Sequence, residues 1–427
     1  MSGPEPDRHS HNPVVRYFRV LGPGLITGAS DDDPSGITTY SVAGASLGYG
    51  MLWTALATYP LMAAVQLVCA RIGLVTGEGL AAVLRRHYPR PLLYAVCLLL
   101  LIANVFNISA DLGGMAEAAA MLSGVPSVLW VPLFALVIVV VTVYATYTAF
   151  ARALKWLTAS LFAYIVAAVL ARPDWGAALH ATVVPRVGLE TVSLATLVAI
   201  LGTTISPYLF FWQASQEVEE EKAQGRRTLA QRRGASPHEL ADAALDVNTG
   251  MLFSNVVMYF IILATAATVH GTRPGGIETA REAAEALRPL AGDGAYLLYT
   301  LGLVATGLLA IPILAGSASF ALAEVFRWPA GLAMTPRRAP RFYLVLAGSV
   351  VTGMALTVLQ HRPVHVLFVS AIVNGLLAPP LLVLVMLVGG NRRIMGSHVN
   401  GPWLAALGWS ATAVMAAAAL AFLFVGS

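Results

Sequence analysis

The chain has 427 residues, of which 57% are apolar and 11% charged. Soluble globular proteins carry about a quarter charged residues, so an ordinary soluble enzyme is excluded. Its 26 basic and 22 acidic residues leave a net charge of +4, too small a surplus to argue for nucleic acid. The two cysteines, Cys69 and Cys97, both lie in apolar runs and offer neither a disulfide framework nor a cysteine metal cluster.

Residues 1–19 are polar, lack the apolar core of a secretion signal and read as a cytoplasmic tail. Beyond them the chain is dominated by apolar runs long enough to cross a bilayer, which takes roughly 20 helical residues. Eleven spans are predicted, at 20–46, 51–74, 91–121, 126–148, 152–171, 192–215, 248–269, 294–326, 342–360, 364–388 and 402–425. They make one all-α integral membrane domain over 20–427, with no separate soluble domain. Lys and Arg are retained on the cytoplasmic side during insertion. With the N-terminus inside, 20 basic residues fall on the inner side and six on the outer. The expected topology is therefore a multi-pass protein of the cell membrane with the N-terminus cytoplasmic and the C-terminus outside.

Residues 217–246, with EVEEEK and RRTLAQRR, form the longest polar stretch and read as a solvated cytoplasmic loop. An outer loop is expected over 270–292, in which 278–290 has the helical spacing of an interfacial segment.

Two spans are interrupted where a lipid-exposed helix cannot be. Nothing in hydrocarbon satisfies freed backbone groups, so a break survives only where it lines a cavity or is buried in protein. The first span carries Asp31, Asp32, Asp33, Pro34, Ser35 and Gly36 near its middle, and the sixth carries Thr203, Thr204, Ser206 and Pro207 at a comparable depth. Proline removes a backbone donor and the flanking hydroxyls compete for carbonyls, so both sites are predicted to unwind. The prolines stand 173 residues apart (207 minus 34), each in the opening span of a five-span block. Matching breaks in two halves point to an inverted-repeat secondary transporter with its site at the midplane.

An intramembrane carboxylate is a functional hypothesis with a partner to be found. No intramembrane Lys or Arg is available to Asp31, Asp32 or Asp33, so a bound cation is the simplest counter-charge. Successive helical residues are roughly 100° apart, so the three cannot all address one ion. Asp33, beside the proline, is the expected ligand, while Asp31 or Asp32 is expected to line an aqueous entrance or to be protonated. Around the breaks the donors are oxygen only: the Asp33 carboxylate, the Thr203 and Ser206 hydroxyls, and carbonyls near Gly36 and Thr203. Such a set suits Mg²⁺, Ca²⁺ or Mn²⁺, with Na⁺ open on the same chemistry.

The first-span run GPGLITGASDDDPSGITTYSVAGASLGYGMLWTAL and the second-span run QLVCARIGLVTGEGL resemble the NRAMP divalent-metal transporters. SADLGGMAE, GTTISPYLFFWQA and NRRIMG extend the resemblance over nearly the whole chain. It implies a LeuT-type fold with an inverted repeat of spans one to five and six to ten. The family's first-span motif is Asp-Pro-Gly-Asn, and here Asp33 is kept while the asparagine ligand is replaced at Gly36. In the sixth span the resemblance places Thr203 at a metal-binding carbonyl, Ser206 where the family has methionine, and Tyr208 where it has a histidine linked to proton transfer. Asn104 stands for a glutamate of the proton path, Asp111 keeps the following aspartate, and Asn374 stands for a tenth-span glutamine that joins the metal shell.

Losing the soft thioether and the histidine makes the chain similar to the NRAMP-related magnesium transporters. In that branch proton coupling is weak or missing and a larger, partly hydrated ion is accepted. Gly36 and Ser206 are smaller than Asn and Met, and are expected to leave room for retained waters. The implied metal set is Asp33, Gly36, Thr203, Ser206 and Asn374, with Asp31, Asp32, Asn104, Asp111 and Tyr208 in vestibule or gating roles. The cargo is Mg²⁺ or Mn²⁺, and no resident cofactor is implied. The partners are that ion and the lipid bilayer, not nucleic acid, and a monomer is compatible with the pattern.

Glu117 is expected to be solvated, His365 an interfacial histidine, and Gln66 and Gln213 interhelical hydrogen-bond partners. HExxH, GxxxxGK[ST] and CxxC are all missing, so protease, ATP-driven pump and redox-enzyme readings lack their chemistry. Alternatives to the magnesium reading are a proton-coupled Mn²⁺/Fe²⁺ importer and a Na⁺-coupled carrier of organic solutes, with a channel behind them.

Overall fold

A chain in hydrocarbon must satisfy its backbone internally, and here it does so with helices. The computed structural model describes Tyr17 and residues 20–144, 161–186, 188, 190–271, 280–359 and 363–425. In chain order the helices are α1 (Pro23–Asp31), α2 (Pro34–Leu47), α3 (Leu52–Thr76), α4 (Leu80–His87), α5 (Arg90–Ser123), α6 (Ser127–Tyr144), α7 (Phe162–Leu170) and α8 (Trp175–Val183). They continue as α9 (Thr191–Thr204), α10 (Pro207–Ala223), α11 (Pro237–Thr268), α12 (Ala280–Phe326), α13 (Pro340–Leu359), α14 (Pro363–Gly389) and α15 (Pro402–Val425).

Among the described residues, nine helical segments are long and apolar enough to cross a membrane. One of them, Pro34–Thr76, runs from the second half of the first predicted span through the whole of the second. The fifth predicted span, 152–171, is described only from residue 161, as α7.

Two polar segments differ from their sequence reading. The 217–246 stretch is not one solvated loop: α10 runs on to Ala223 and α11 begins at Pro237. Glu217, Glu219 and Glu221 are buried, because the helix keeps turning them toward protein and polar partners wait there. Gln213 donates to Glu217 at 2.8 Å and Arg226 pairs with Glu221 at 3.0 Å. Similarly, 280–290 belongs to the start of α12 and continues into the eighth span, while 278 and 279 lie outside the described residues. Glu117 is half-buried rather than solvated, and His365 is exposed.

Small residues let the helices approach closely, the usual glue in lipid, where apolar burial against another helix gains little. A Cβ on Gly28 would stand 2.2 Å from the Gly250 backbone, and one on Gly24 would stand 2.6 Å from Val247 N, so α1 lies directly on α11. A Cβ on Gly44 would meet the Ile262 carbonyl at 2.4 Å, seating α2 on the same helix. Gly73 brings α3 against α10 at the Ala214 carbonyl, and Gly202 brings α9 against α14 at the Ala371 carbonyl, with equivalent gaps of 2.4 and 2.1 Å.

Candidate cation site

The first break follows from local chemistry. Pro34 cannot donate a backbone hydrogen bond, and it occupies the first turn of α2, where none is needed. Asp33, extended at φ −68° and ψ 171°, is the N-cap residue: its Oδ1 accepts the Gly36 N–H at 2.6 Å. The Asp-Pro pair was legible as such a start signal, and this capping role is one the sequence reading missed.

The second break has the same grammar with different chemistry. α9 stops at Thr204, Ile205 and Ser206 leave the helix, and Pro207 opens α10. Ser206 does not cap α10. Its hydroxyl turns back and donates to the Gly202 and Thr203 carbonyls at 2.9 and 2.7 Å.

The two breaks meet at Gly36. An added Cβ there would lie 2.8 Å from Thr203 Oγ1, 3.1 Å from the Asp31 carbonyl oxygen and 3.4 Å from Asp33 Oδ1. Hydroxyl, carbonyl and carboxylate oxygens thus converge on one point, and Thr203 Oγ1 is buried there with no hydrogen bond. The position that a Cβ at Gly36 would take is bounded by these oxygens. Tyr208 ties the breaks together, donating from its hydroxyl to the Ser30 carbonyl at 2.8 Å.

Asp31 and Asp32 are fully enclosed and line no open entrance in this conformation. The Ser254 hydroxyl stands 3.0 Å from Asp31 Oδ2 and 3.3 Å from Asp32 Oδ1. Ser254 is one helical turn beyond Gly250, so the seam that seats α1 on α11 also carries this hydroxyl to the carboxylates. Nothing in the sequence signalled Ser254. No ion pair among the described residues includes Asp31, Asp32 or Asp33.

Asp111 on α5 is fully buried and close enough to Asp33 for the two carboxylates to repel. Asn374 on α14 is buried, its amide oxygen accepting from Asn107 at 3.2 Å. Asn104 is committed elsewhere, donating to the Leu314 carbonyl at 2.9 Å and Ser317 Oγ at 2.7 Å on α12. Gln213 bridges helices as expected, accepting from Thr27 at 2.5 Å, whereas Gln66 Oε1 is buried without a partner.

Asp246 is a second residue that sequence reasoning missed. From α11 its carboxylate accepts the N–H groups of Gly22, Gly24 and Leu25 at 2.8, 2.7 and 3.0 Å, capping the start of α1. Its only signal was an acid at the edge of an apolar run.

Among the described residues no group of three or more His, Cys, Asp or Glu could hold a metal. A cation at the breaks would therefore be met by one or two carboxylates and neutral oxygens, the mixture that hard, partly hydrated ions accept.

Two unwound segments facing each other from corresponding places in two halves define an inverted-repeat, LeuT-type secondary transporter. Residues 24–425 match the family described as Nramp, natural resistance-associated macrophage protein-like, and the chain belongs to that family. A divalent metal cation transporter, MntH, of Pectobacterium carotovorum is 27% identical over 403 residues, covering 91% of this chain and 90% of its own. The MntH of Deinococcus radiodurans is 28% identical over 406 residues, covering 93% and 87%. In fold, the chain is similar to the Eremococcus coleocola manganese transporter, with a TM-score of 0.75 at 18% identity over 99% of this chain and 88% of that one. It is also similar to Mhp1, a nucleobase-cation-symport-1 family transporter, with a TM-score of 0.60 at 14% identity over 95% and 91%.

Proposed function

We propose that this chain carries divalent metal cations across the cell membrane by alternating access, with Mg²⁺ as its principal cargo and Mn²⁺ carried as well. The observation that carries the reading is the meeting of the two breaks: oxygens of Asp31, Asp33 and Thr203 around Gly36, without a basic partner for the acids. Asp33 supplies the charge. The Thr203 oxygens, the Gly36 region, Ser206 and Asn374 complete the shell once the halves part. Hard oxygen donors without thioether or imidazole favour Mg²⁺ over softer ions. An inside-negative potential of 100 mV supplies about 4.6 kcal/mol per divalent ion, so uptake needs no proton gradient. In proteoliposomes Asp33→Ala should cut uptake of Mg²⁺ and Mn²⁺ at least tenfold, and undiminished uptake would refute the site.

A second reading, proton-coupled import of Mn²⁺ or Fe²⁺, is favoured by the relatives, which are divalent metal and manganese transporters. It predicts acidification of the vesicle lumen as metal enters. Robust metal uptake without acidification supports the uncoupled reading. Competition among Mg²⁺, Mn²⁺ and Ca²⁺, compared between the wild type and Ser206→Met, tests the selectivity argument: an unchanged ranking refutes it.

A further inference from the structure

The face that carries the 217–246 segment holds a cleft of about 650 Å³ between α4, α10 and the end of α12. Its three acidic side chains are all engaged. Glu78 pairs with Arg86 at 2.8 Å and Glu219 with Lys222 at 2.6 Å. Glu324 takes the Ala82 N–H at 3.0 Å and the Ser215 hydroxyl at 3.2 Å. Arg232 is spent on backbone carbonyls, those of Gly77 and Arg227 at 3.2 and 2.8 Å.

Two guanidinium groups are left over in the cleft. Arg85 gives one N–H to the Glu324 carbonyl, while its Nε is shielded and bonds nothing. Arg327 is exposed, enters no ion pair among the described residues, and lies close enough to Arg85 to repel it. Burial, together with the Arg327 and Arg86 charges, holds Arg85 below the usual arginine pKa, against the opposing pull of Glu78 and Glu324. Arg327 is also held at φ 57°, in the left-handed region that favours glycine. That conformation is the left-handed end of α12, where the Trp328 N–H returns to the Ala323 carbonyl at 2.8 Å.

We propose that this cleft is a binding site for a phosphate-bearing anion, with Arg85 and Arg327 gripping its oxygens. Paired guanidinium forks match phosphate geometry better than any other side chains. The volume suits a small-molecule ligand, and a basic pocket between membrane helices also suits an anionic lipid headgroup. Both sources present the same phosphate chemistry. The site is separate from the cation breaks and does not depend on which metal is carried.

The test uses the full chain in nanodiscs. In neutral phosphatidylcholine discs, tripolyphosphate is titrated calorimetrically. In discs containing phosphatidylglycerol, the lipid retained after extraction is measured by native mass spectrometry. Tripolyphosphate binding assigns a soluble ligand, and phosphatidylglycerol retention alone assigns a headgroup. In either arm Arg327→Gly and Arg85→Gln should each weaken binding at least tenfold. Arg392→Gln, an exposed arginine outside the cleft, should change it less than twofold. Arg327→Gly removes the charge and also relieves the backbone, so it should melt no lower than the wild type and keeps the test decisive if Arg85→Gln misfolds. Absence of binding in both arms, or an equal loss in Arg392→Gln, overturns the proposal.

Discussion

The two breaks stand on different supports. At the first, both half-helices lie on one neighbour: α1 and α2 pack along α11 through Gly24, Gly28 and Gly44, with Asp246 capping the start of α1 and Ser254 reaching the acids. At the second, the halves part company, α9 lying on α14 and α10 on α3. The first break is held at both ends by a single helix, whereas the second is held by two helices and by its own carbonyl-directed Ser206.

The sharpest way to break that comparison is at the glycine seam. In Gly28→Ala the new methyl would sit 2.2 Å from the Gly250 backbone, which no side-chain rotation relieves. The cost should reach or exceed the upper end of the about 1–3 kcal/mol of ordinary overpacking. The measurement is the monodisperse fraction after detergent extraction, expected to fall severalfold; an unchanged yield would mean that α1 and α11 are not in fixed contact.

Asp246→Ala comes next, because it strips three N–H groups of their acceptor, each bond to a charged group being worth about 1.5–3 kcal/mol when taken singly. Hydrogen exchange should speed up at Gly22, Gly24 and Leu25 and stay unchanged at the start of α10. Equal deprotection at both breaks would erase the distinction.

Thr27→Val leaves the buried Gln213 oxygen without its 2.5 Å partner and should cost about 1–3 kcal/mol, read as a lower melting temperature. Ser254→Ala removes one shared hydroxyl and should be the mildest, about 1 kcal/mol. Metal uptake in that variant should change less than tenfold, and a loss as deep as that of Asp33→Ala would make Ser254 part of the site.

Much of this was readable in advance because it is local. Asp33-Pro34 and Ser206-Pro207 mark the breaks through residues one to four positions apart, so the places where the helices unwind follow from proline and from local side-chain hydrogen bonding. The acids at 217–221 misled for the same reason. As a charge run they read as solvated, yet their exposure depends on which neighbours α10 meets, and Glu217, Glu219 and Glu221 are buried.

By itself, then, the sequence determined that the chain spans a membrane and where two of its helices break, since composition and near neighbours decide both. Tertiary structure alone decided that Thr203 fills the space beside Gly36, that Ser254 spans Asp31 and Asp32, and that Asp246 holds the start of α1. Those partners stand 167 residues apart for Gly36 and Thr203 (203 minus 36) and 221 to 224 apart for Asp246 and Ser254 with the first span. Such separations carry no local signal; the contacts exist because glycines let whole helices close to backbone distance.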